Sequence, residues 1–182
     1  MSKKALFILL VGVVAIAGLY LADRYWLGQI RQQAPGTTAS NGPALMQPVP
    51  DITLPARAGA EVNLRDLKGK VVVINFWATW CLPCQLEIPF FNKVYAEFRD
   101  QGVEFIGISE DAGGWNDIEE FVKETPIDYL VLLDQGERAA QAFGGLPGLP
   151  VTIFVDRQGR IAYKHVGISD IDVLRANIRR LL

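Results

Sequence analysis

An almost unbroken apolar, β-branched run, Val71-Val72-Val73-Ile74-Asn75-Phe76, leads into Trp77-Ala78-Thr79-Trp80-Cys81-Leu82-Pro83-Cys84, and an amphipathic stretch follows. Such a run is what a strand covered on both faces requires. The chain is therefore expected to pass from a buried central strand, through a short turn, into a helix beginning near Leu82. A Cys-x-x-Cys at that junction puts its first sulfur at the helix N-terminus, where unpaired N–H groups and the helix dipole favour a thiolate. Pro83 suits the first helical turn, because the N–H it lacks has no partner there. The second sulfur, one turn along, is close enough to close a disulfide with the first. The junction has the geometry of a redox dithiol.

Three plainer uses of the cysteines compete with this one. Zinc needs about four ligands, and the chain holds 2 Cys and 1 His. A haem-attachment motif has His directly after its second cysteine, where this chain has Gln85. A purely structural disulfide across so short a loop removes little entropy from the unfolded chain.

The chain has 182 residues, of which 50% are hydrophobic and 21% charged, which suits one globular domain with an added apolar segment. A formal charge of −2 gives no basic footprint for nucleic acid. Cysteines confined to one tight pair suit an exported protein. Lys3 and Lys4 precede an apolar run over 5–22 that Asp23 and Arg24 end. That run is about long enough to cross a bilayer, and the lysines favour a cytoplasmic N-terminus. A cleaved signal peptide is the alternative, with Ala15-Ile16-Ala17 as its cleavage site. A retained anchor is preferred because the apolar run continues past that site. Either way the remainder is exported; with the anchor retained, the expected location is a single pass through the inner membrane with the domain in the periplasm or extracytoplasmic space. Residues 23–47 turn to Gln, Pro, Gly, Ser and Thr and read as a flexible linker, leaving 48–182 as the folded domain.

Within that domain, 51–54 and 61–64 flank a Gly-containing turn and suggest a β-hairpin, with a turn of helix over 64–67. The helix from Leu82 is expected to place Leu82, Leu86, Phe90, Val94 and Phe98 inward, with Phe91 and Tyr95 beside them and a kink at Pro89. Strands are expected over 103–108, 129–133, 151–155 and 161–166. Helices are expected over 115–124, over 137–143 before Gly144-Gly145, and from Ser169 or Asp170 onward with Ile171, Leu174, Ile178 and Leu181 inward. Strands that alternate with helices and finish in a hairpin and a helix predict an α/β fold, a central mixed sheet flanked by helices.

Phe76-Trp77-Ala78-Thr79-Trp80-Cys81-Leu82-Pro83-Cys84 resembles the active-site signature of the thioredoxin superfamily, and the resemblance runs from about Pro48 to the C-terminus. The branch it resembles is the TlpA/ResA-like membrane-anchored thiol–disulfide oxidoreductases. Gln85-Leu86-Glu87-Ile88-Pro89 has the Glu and Pro of that branch, and 110–115 lies where such proteins carry extra sequence. Gly148-Leu149-Pro150-Val151-Thr152-Ile153-Phe154-Val155-Asp156 is similar to the family's cis-proline loop and following strand. The resemblance implies a thioredoxin-like fold and an enzyme with no cofactor beyond a redox-active Cys81–Cys84 disulfide.

Roles follow from it. Cys81, exposed at the helix end, carries the mixed disulfide, and Cys84, shielded behind it, resolves that intermediate. Thioredoxins carry a buried aspartate where this chain has Asn75, which cannot take up a proton. Glu87, one turn after Cys84, is the natural replacement: a partly buried carboxyl of raised pKa can accept and return the resolving thiol's proton. The competing picture is an exposed Glu87 paired with a lysine. Trp80 is either part of the rim of the substrate site or ordinary packing; Trp77 belongs to the core. The cis bond is expected at Leu149–Pro150, leaving the Leu149 backbone free to pair with an extended substrate segment. The preceding Gly145-Leu146-Pro147 makes Pro147 the alternative. His165 is a strand or surface residue.

By resemblance the protein would reduce protein disulfides, taking electrons from a membrane thiol donor and passing them to apocytochrome c or copper-site cysteines. Leu82-Pro83 fixes no potential, so oxidation or isomerisation stays open. Two other activities compete. A copper-binding metallochaperone on the same fold would use a wider cysteine spacing and a histidine placed otherwise than His165. A thiol peroxidase would have Thr three residues before its reactive cysteine, where this chain has Ala78.

Overall fold

The structure, a computed structural model, describes residues 46–182 together with Ala17, Gly18, Tyr20 and Leu21. Two compact units, 1–38 and 39–182, divide the chain, and the architecture that follows is that of the second. Most of the expected membrane span at 5–22 and of the expected linker at 23–47 lies outside the described residues. Among the described residues no helix is long and apolar enough to cross a membrane.

Met46 already belongs to the domain, since its N–H donates to the Ile161 carbonyl at 2.9 Å, and the Gln47 carbonyl accepts from Ile161 at 2.7 Å. The expected hairpin follows as β1 (Thr53–Pro55) and β2 (Glu61–Asn63), antiparallel, with Leu54 opposite Val62. The Asn63 side chain then accepts the Arg65 N–H at 2.9 Å and starts a 3-10 turn, Leu64–Leu67.

Five further strands make the central sheet: β3 (Val71–Trp77), β4 (Val103–Ser109), β5 (Leu130–Leu133), β6 (Val151–Val155) and β7 (Ile161–Val166). Their order is β5-β4-β3-β6-β7, with β3, β4 and β5 parallel and β6 and β7 each antiparallel to its inner neighbour. The sheet is mixed, as the alternation of elements predicts. Every residue of β3 is buried. A strand with a neighbour on each side and a layer on each face has no solvent side to mark with polar residues.

Four helices complete the fold: α1 (Leu82–Phe98), α2 (Trp115–Glu124), α3 (Arg138–Ala142) and α4 (Ile171–Leu181). On one face of the sheet, Val71, Val73, Phe105 and Phe154 pack with Phe91, Val94 and Phe98 of α1 and Leu174 and Ile178 of α4. On the other, Val72, Ile74, Phe76, Ile106 and Ile153 pack with Leu54 and Leu64 of the hairpin region and Ala139 of α3. Asp170 caps α4, its carboxylate accepting the N–H groups of Asp172 and Val173.

The inward stripe expected along α1 is half wrong. Val94 and Phe98 are buried, whereas Leu82 is 64% exposed, Leu86 58% and Phe90 39%. Steps of four residues overshoot a full turn by about 40°, so four such steps rotate the line roughly 160° round the helix. Cys84, Ile88, Phe91 and Phe98, spaced by four, three and seven residues, stay on the inner face, which also carries Glu87. The helix runs unbroken through Pro89.

Candidate active site

β3 ends at Trp77, and the next four residues turn the chain into α1. The Ala78 carbonyl accepts the Cys81 N–H at 3.1 Å, and the Cys81 carbonyl accepts the Gln85 N–H at 3.1 Å. Cys81 is the N-cap of α1, its sulfur accepting the Cys84 N–H at 3.3 Å. A cap position usually holds an oxygen acceptor; here the acceptor is the sulfur itself, and the bond strengthens once that sulfur carries a negative charge. Cys81 and Cys84 are joined in a disulfide with Cα atoms 5.3 Å apart. The expected exposure of Cys81 is not met: it is 5% exposed, against 0% for Cys84. Ala78, Trp77 and Leu149 pack with the pair, so the two cysteines differ little in exposure in this oxidised state.

The turn is held by a residue that motif reading passes over. Asp111, 1% exposed, accepts the Thr79 N–H at 3.0 Å and the Thr79 hydroxyl at 2.6 Å, and the Ser109 hydroxyl donates to it at 2.7 Å. Gln85 closes the loop from the helix side, its amide donating to the Thr79 carbonyl at 2.6 Å. Replacing Asp111 by Ala leaves these donors without a charged acceptor. We expect Asp111→Ala to lower stability by about 2–4 kcal/mol, read as a shift of the urea midpoint; an unshifted midpoint would show that water replaces the carboxylate without cost.

Glu87 is 1% exposed. Its Oε1 accepts from Asn75 Nδ2 at 2.8 Å and its Oε2 from the Ser169 N–H at 3.0 Å. The surface pairing with a lysine is thereby excluded. Thr152 completes the cluster: its hydroxyl accepts from Ser169 Oγ at 3.1 Å and lies 3.5 Å from Asn75 Nδ2. Asn75 and Thr152 are direct register partners on β3 and β6, two polar residues in otherwise apolar strands, and that was the available sequence signal for Thr152. Burial pushes the Glu87 carboxyl up to about 7, against the two N–H donors that favour its ionised form. A group balanced there can take or release a proton near neutral pH. Cys84 and Glu87 lie three residues apart on the same buried face of α1.

The remaining residues fall where function can use them. Trp80 is 68% exposed, which excludes ordinary packing, whereas Trp77 is fully buried against Phe121. The cis bond is Leu149–Pro150, resolving the choice against Pro147. Leu149 packs on the cluster that contains both cysteines. Among the described residues neither its N–H nor its carbonyl has a backbone partner. His165 sits on β7 with Nε2 3.0 Å from the Ile168 carbonyl. Among the described residues no three His, Cys, Asp or Glu side chains are grouped so as to hold a metal ion.

This sheet, with a disulfide capping the first long helix and a cis-proline loop beside it, defines a thioredoxin-like protein. The AhpC/TSA family model matches residues 45–164. Thiol-disulfide oxidoreductase ResA of Bacillus thuringiensis (strain Al Hakam) is 31% identical over 132 residues, covering 72% of this chain and 75% of that protein. Among solved structures, a putative thiol:disulfide interchange protein DsbE from Chlorobium tepidum matches with a TM-score of 0.69 and 30% identity, over 74% of this chain and 95% of that one. A DsbF homologue from Corynebacterium diphtheriae matches with a TM-score of 0.67 and 31% identity, over 74% and 86%. The chain belongs to the AhpC/TSA family and, within the thioredoxin superfamily, to the ResA-like thiol–disulfide oxidoreductases.

Proposed function

We propose that this chain reduces disulfides of exported proteins at the outer face of the cytoplasmic membrane through a dithiol–disulfide cycle of Cys81 and Cys84. The observation that carries the proposal is Glu87, a buried carboxyl that shares the inner face of α1 with Cys84 and titrates near neutrality. In the cycle the Cys81 thiolate attacks one sulfur of the substrate disulfide. That S–S bond breaks, the departing substrate sulfur takes a proton, and a Cys81–substrate disulfide remains. Glu87 then accepts the proton of the Cys84 thiol. The Cys84 thiolate displaces the second substrate sulfur from Cys81, closing the Cys81–Cys84 bond, and that sulfur takes the proton back from Glu87. Two electrons have passed to the substrate, which leaves as a dithiol.

Trp80, Leu149 and Pro150 form the substrate-binding side. The unpaired backbone groups of Leu149 suit an extended polypeptide, and the exposed Trp80, Leu82 and Leu86 give it apolar surface to cover. A membrane thiol donor returns the protein to the dithiol form, the N-terminal segment over 5–22 anchors it, and its clients are cysteine pairs of the apocytochrome c or copper-site type. Holding the electrons in the sulfur pair, the cycle needs no other cofactor. The copper-chaperone alternative gains nothing from His165, whose Nε2 is engaged by the Ile168 carbonyl and whose Nδ1 is buried away from solvent.

The reduced domain is expected to reduce a protein disulfide stoichiometrically and to equilibrate with thiol buffers at a potential below about −200 mV. In spheroplasts a membrane-impermeant thiol reagent is expected to label Cys81 before lysis. A potential near that of strong oxidants, about −120 mV, would overturn the reducing direction, and labelling only after lysis would overturn the location.

A further inference from the structure

Beside the disulfide lies a cleft of about 240 Å³ whose walls include Trp80, Leu146 and Leu149 together with Glu110 and Glu137. Those two glutamates also line the adjoining cavity of about 340 Å³, which Asp134 enters. The two spaces share Glu110 and Glu137, so the groove beside the sulfurs carries both apolar and acidic walls. Glu110 is tied to the site, its N–H donating to the Trp77 carbonyl at 2.9 Å.

The acidic walls run from exposed Glu137 to buried Asp134. Asp134 is 3% exposed, and its Oδ2 is used by the N–H groups of Ala139 and Ala140 at 2.7 and 3.0 Å. Its Oδ1 and the Oε1 of Glu110 are both buried with no donor. Buried acceptors without donors are costly, and two carboxylates brought together away from water repel one another. The free protein manages this by holding on to a proton. Burial first, then the charges of Asp134, Glu137 and Asp111, push Glu110 up to about 8, and Glu110 and Asp134 are near enough to share that proton. A ligand that brings its own positive charge and N–H donors would replace it.

We propose that this groove is a specificity subsite for a long cationic side chain, lysine or arginine, carried by the substrate polypeptide next to its reacting cysteine. The methylene stem lies against Trp80, Leu146 and Leu149, and the charged head reaches Glu110 and Glu137, which line the same cleft. Long basic side chains combine an apolar stem with a charged tip in this way. The subsite adjoins the unpaired backbone of Leu149, so a segment held there directs a neighbouring side chain into the groove. The proposal rests on the disulfide-reductase reading and adds the class of substrate.

The test uses short Gly/Ser peptides with one cysteine blocked as a mixed disulfide with 2-mercaptoethanol. Each has lysine or its uncharged analogue norleucine at one of the two positions on either side of that cysteine. At one or more positions the lysine peptide is expected to be reduced about five- to tenfold faster in kcat/KM than its norleucine partner. In Glu110→Gln and Glu137→Gln that ratio is expected to fall below about twofold, the norleucine peptide serving as reference within each variant. Glu137 is exposed, so the second variant does not depend on a buried position. Equal rates at every position, or a lysine preference that survives in both variants, overturn the subsite while leaving the reductase intact. No reduction of any peptide, nor of hydroxyethyl disulfide, overturns both.

Discussion

Cys84→Ser is expected to leave Cys81 locked in mixed disulfides with its substrates and to lower turnover on the order of a thousandfold or more. A serine hydroxyl is not ionised at working pH and cannot displace sulfur from sulfur, so the first half of the cycle proceeds and the second stops. The position is fully buried, so an outside thiol replaces the missing one poorly. Oxygen is smaller than sulfur and the disulfide is lost, yet the packing around the site rests on Trp77, Ile88, Ile118 and Leu133 and should hold. The adducts would be read by mass after non-reducing separation of exported fractions, and their identities name the clients. Cys81→Ser is the control and should give none. If neither variant yields an adduct while the native domain reduces no protein disulfide, the proposed cycle is wrong.

The second large effect concerns Glu87. In Glu87→Gln the resolving step loses its proton acceptor, a loss of roughly a hundredfold in rate. The rise of the native rate through about pH 7, where Glu87 ionises, should vanish from the pH profile. A purely structural glutamate would leave that profile in place. Stability gives an independent reading with a definite sign. A carboxyl whose pKa is higher in the folded state than in the unfolded chain binds its proton more tightly when folded, so the fold loses stability as pH rises. For Glu87, moved from 4.5 to about 7, the loss develops between those values and amounts to about 3 kcal/mol above them. Glu110 contributes a fall of the same sign up to about pH 8. The difference between native protein and variant therefore isolates Glu87: urea midpoints at pH 5 and pH 8 should differ more in the native protein. Glutamine brings an amide N–H₂ toward a site whose two neighbours, Asn75 Nδ2 and the Ser169 N–H, are donors. Rotation of the Asn75 amide would present its oxygen instead, which keeps the substitution compatible with folding.

Local patterns were enough for the sheet, because β3 announces two covered faces by its composition, and for the cysteines, whose spacing places them at a helix start. They also pointed to Glu87 and to the Leu149–Pro150 bond, by resemblance. They did not find what surrounds Glu87. Ser169 acts through its backbone N–H from 82 positions away, and no side-chain pattern marks a backbone donor. Asp111 braces the motif from just past the end of β4, where sequence shows only an acid after a strand. The inner face of α1 was misjudged because steps of four, followed too far, leave the face they start on. The groove at Glu110 and Asp134 is assembled from the ends of adjacent parallel strands, which only the sheet order brings together.

The Ser169 N–H that lies on Glu87 Oε2 has a spectroscopic use. An amide proton is strongly deshielded by a carboxylate and less so by a neutral carboxyl, so the Ser169 resonance moves as Glu87 gains or loses its proton. One backbone signal at the start of α4 thus records, without any label, the charge state of a carboxyl sealed inside the fold. Following it in the oxidised and reduced protein would show how far opening the disulfide retunes that carboxyl, and hence how tightly electron and proton are coupled in a single turnover.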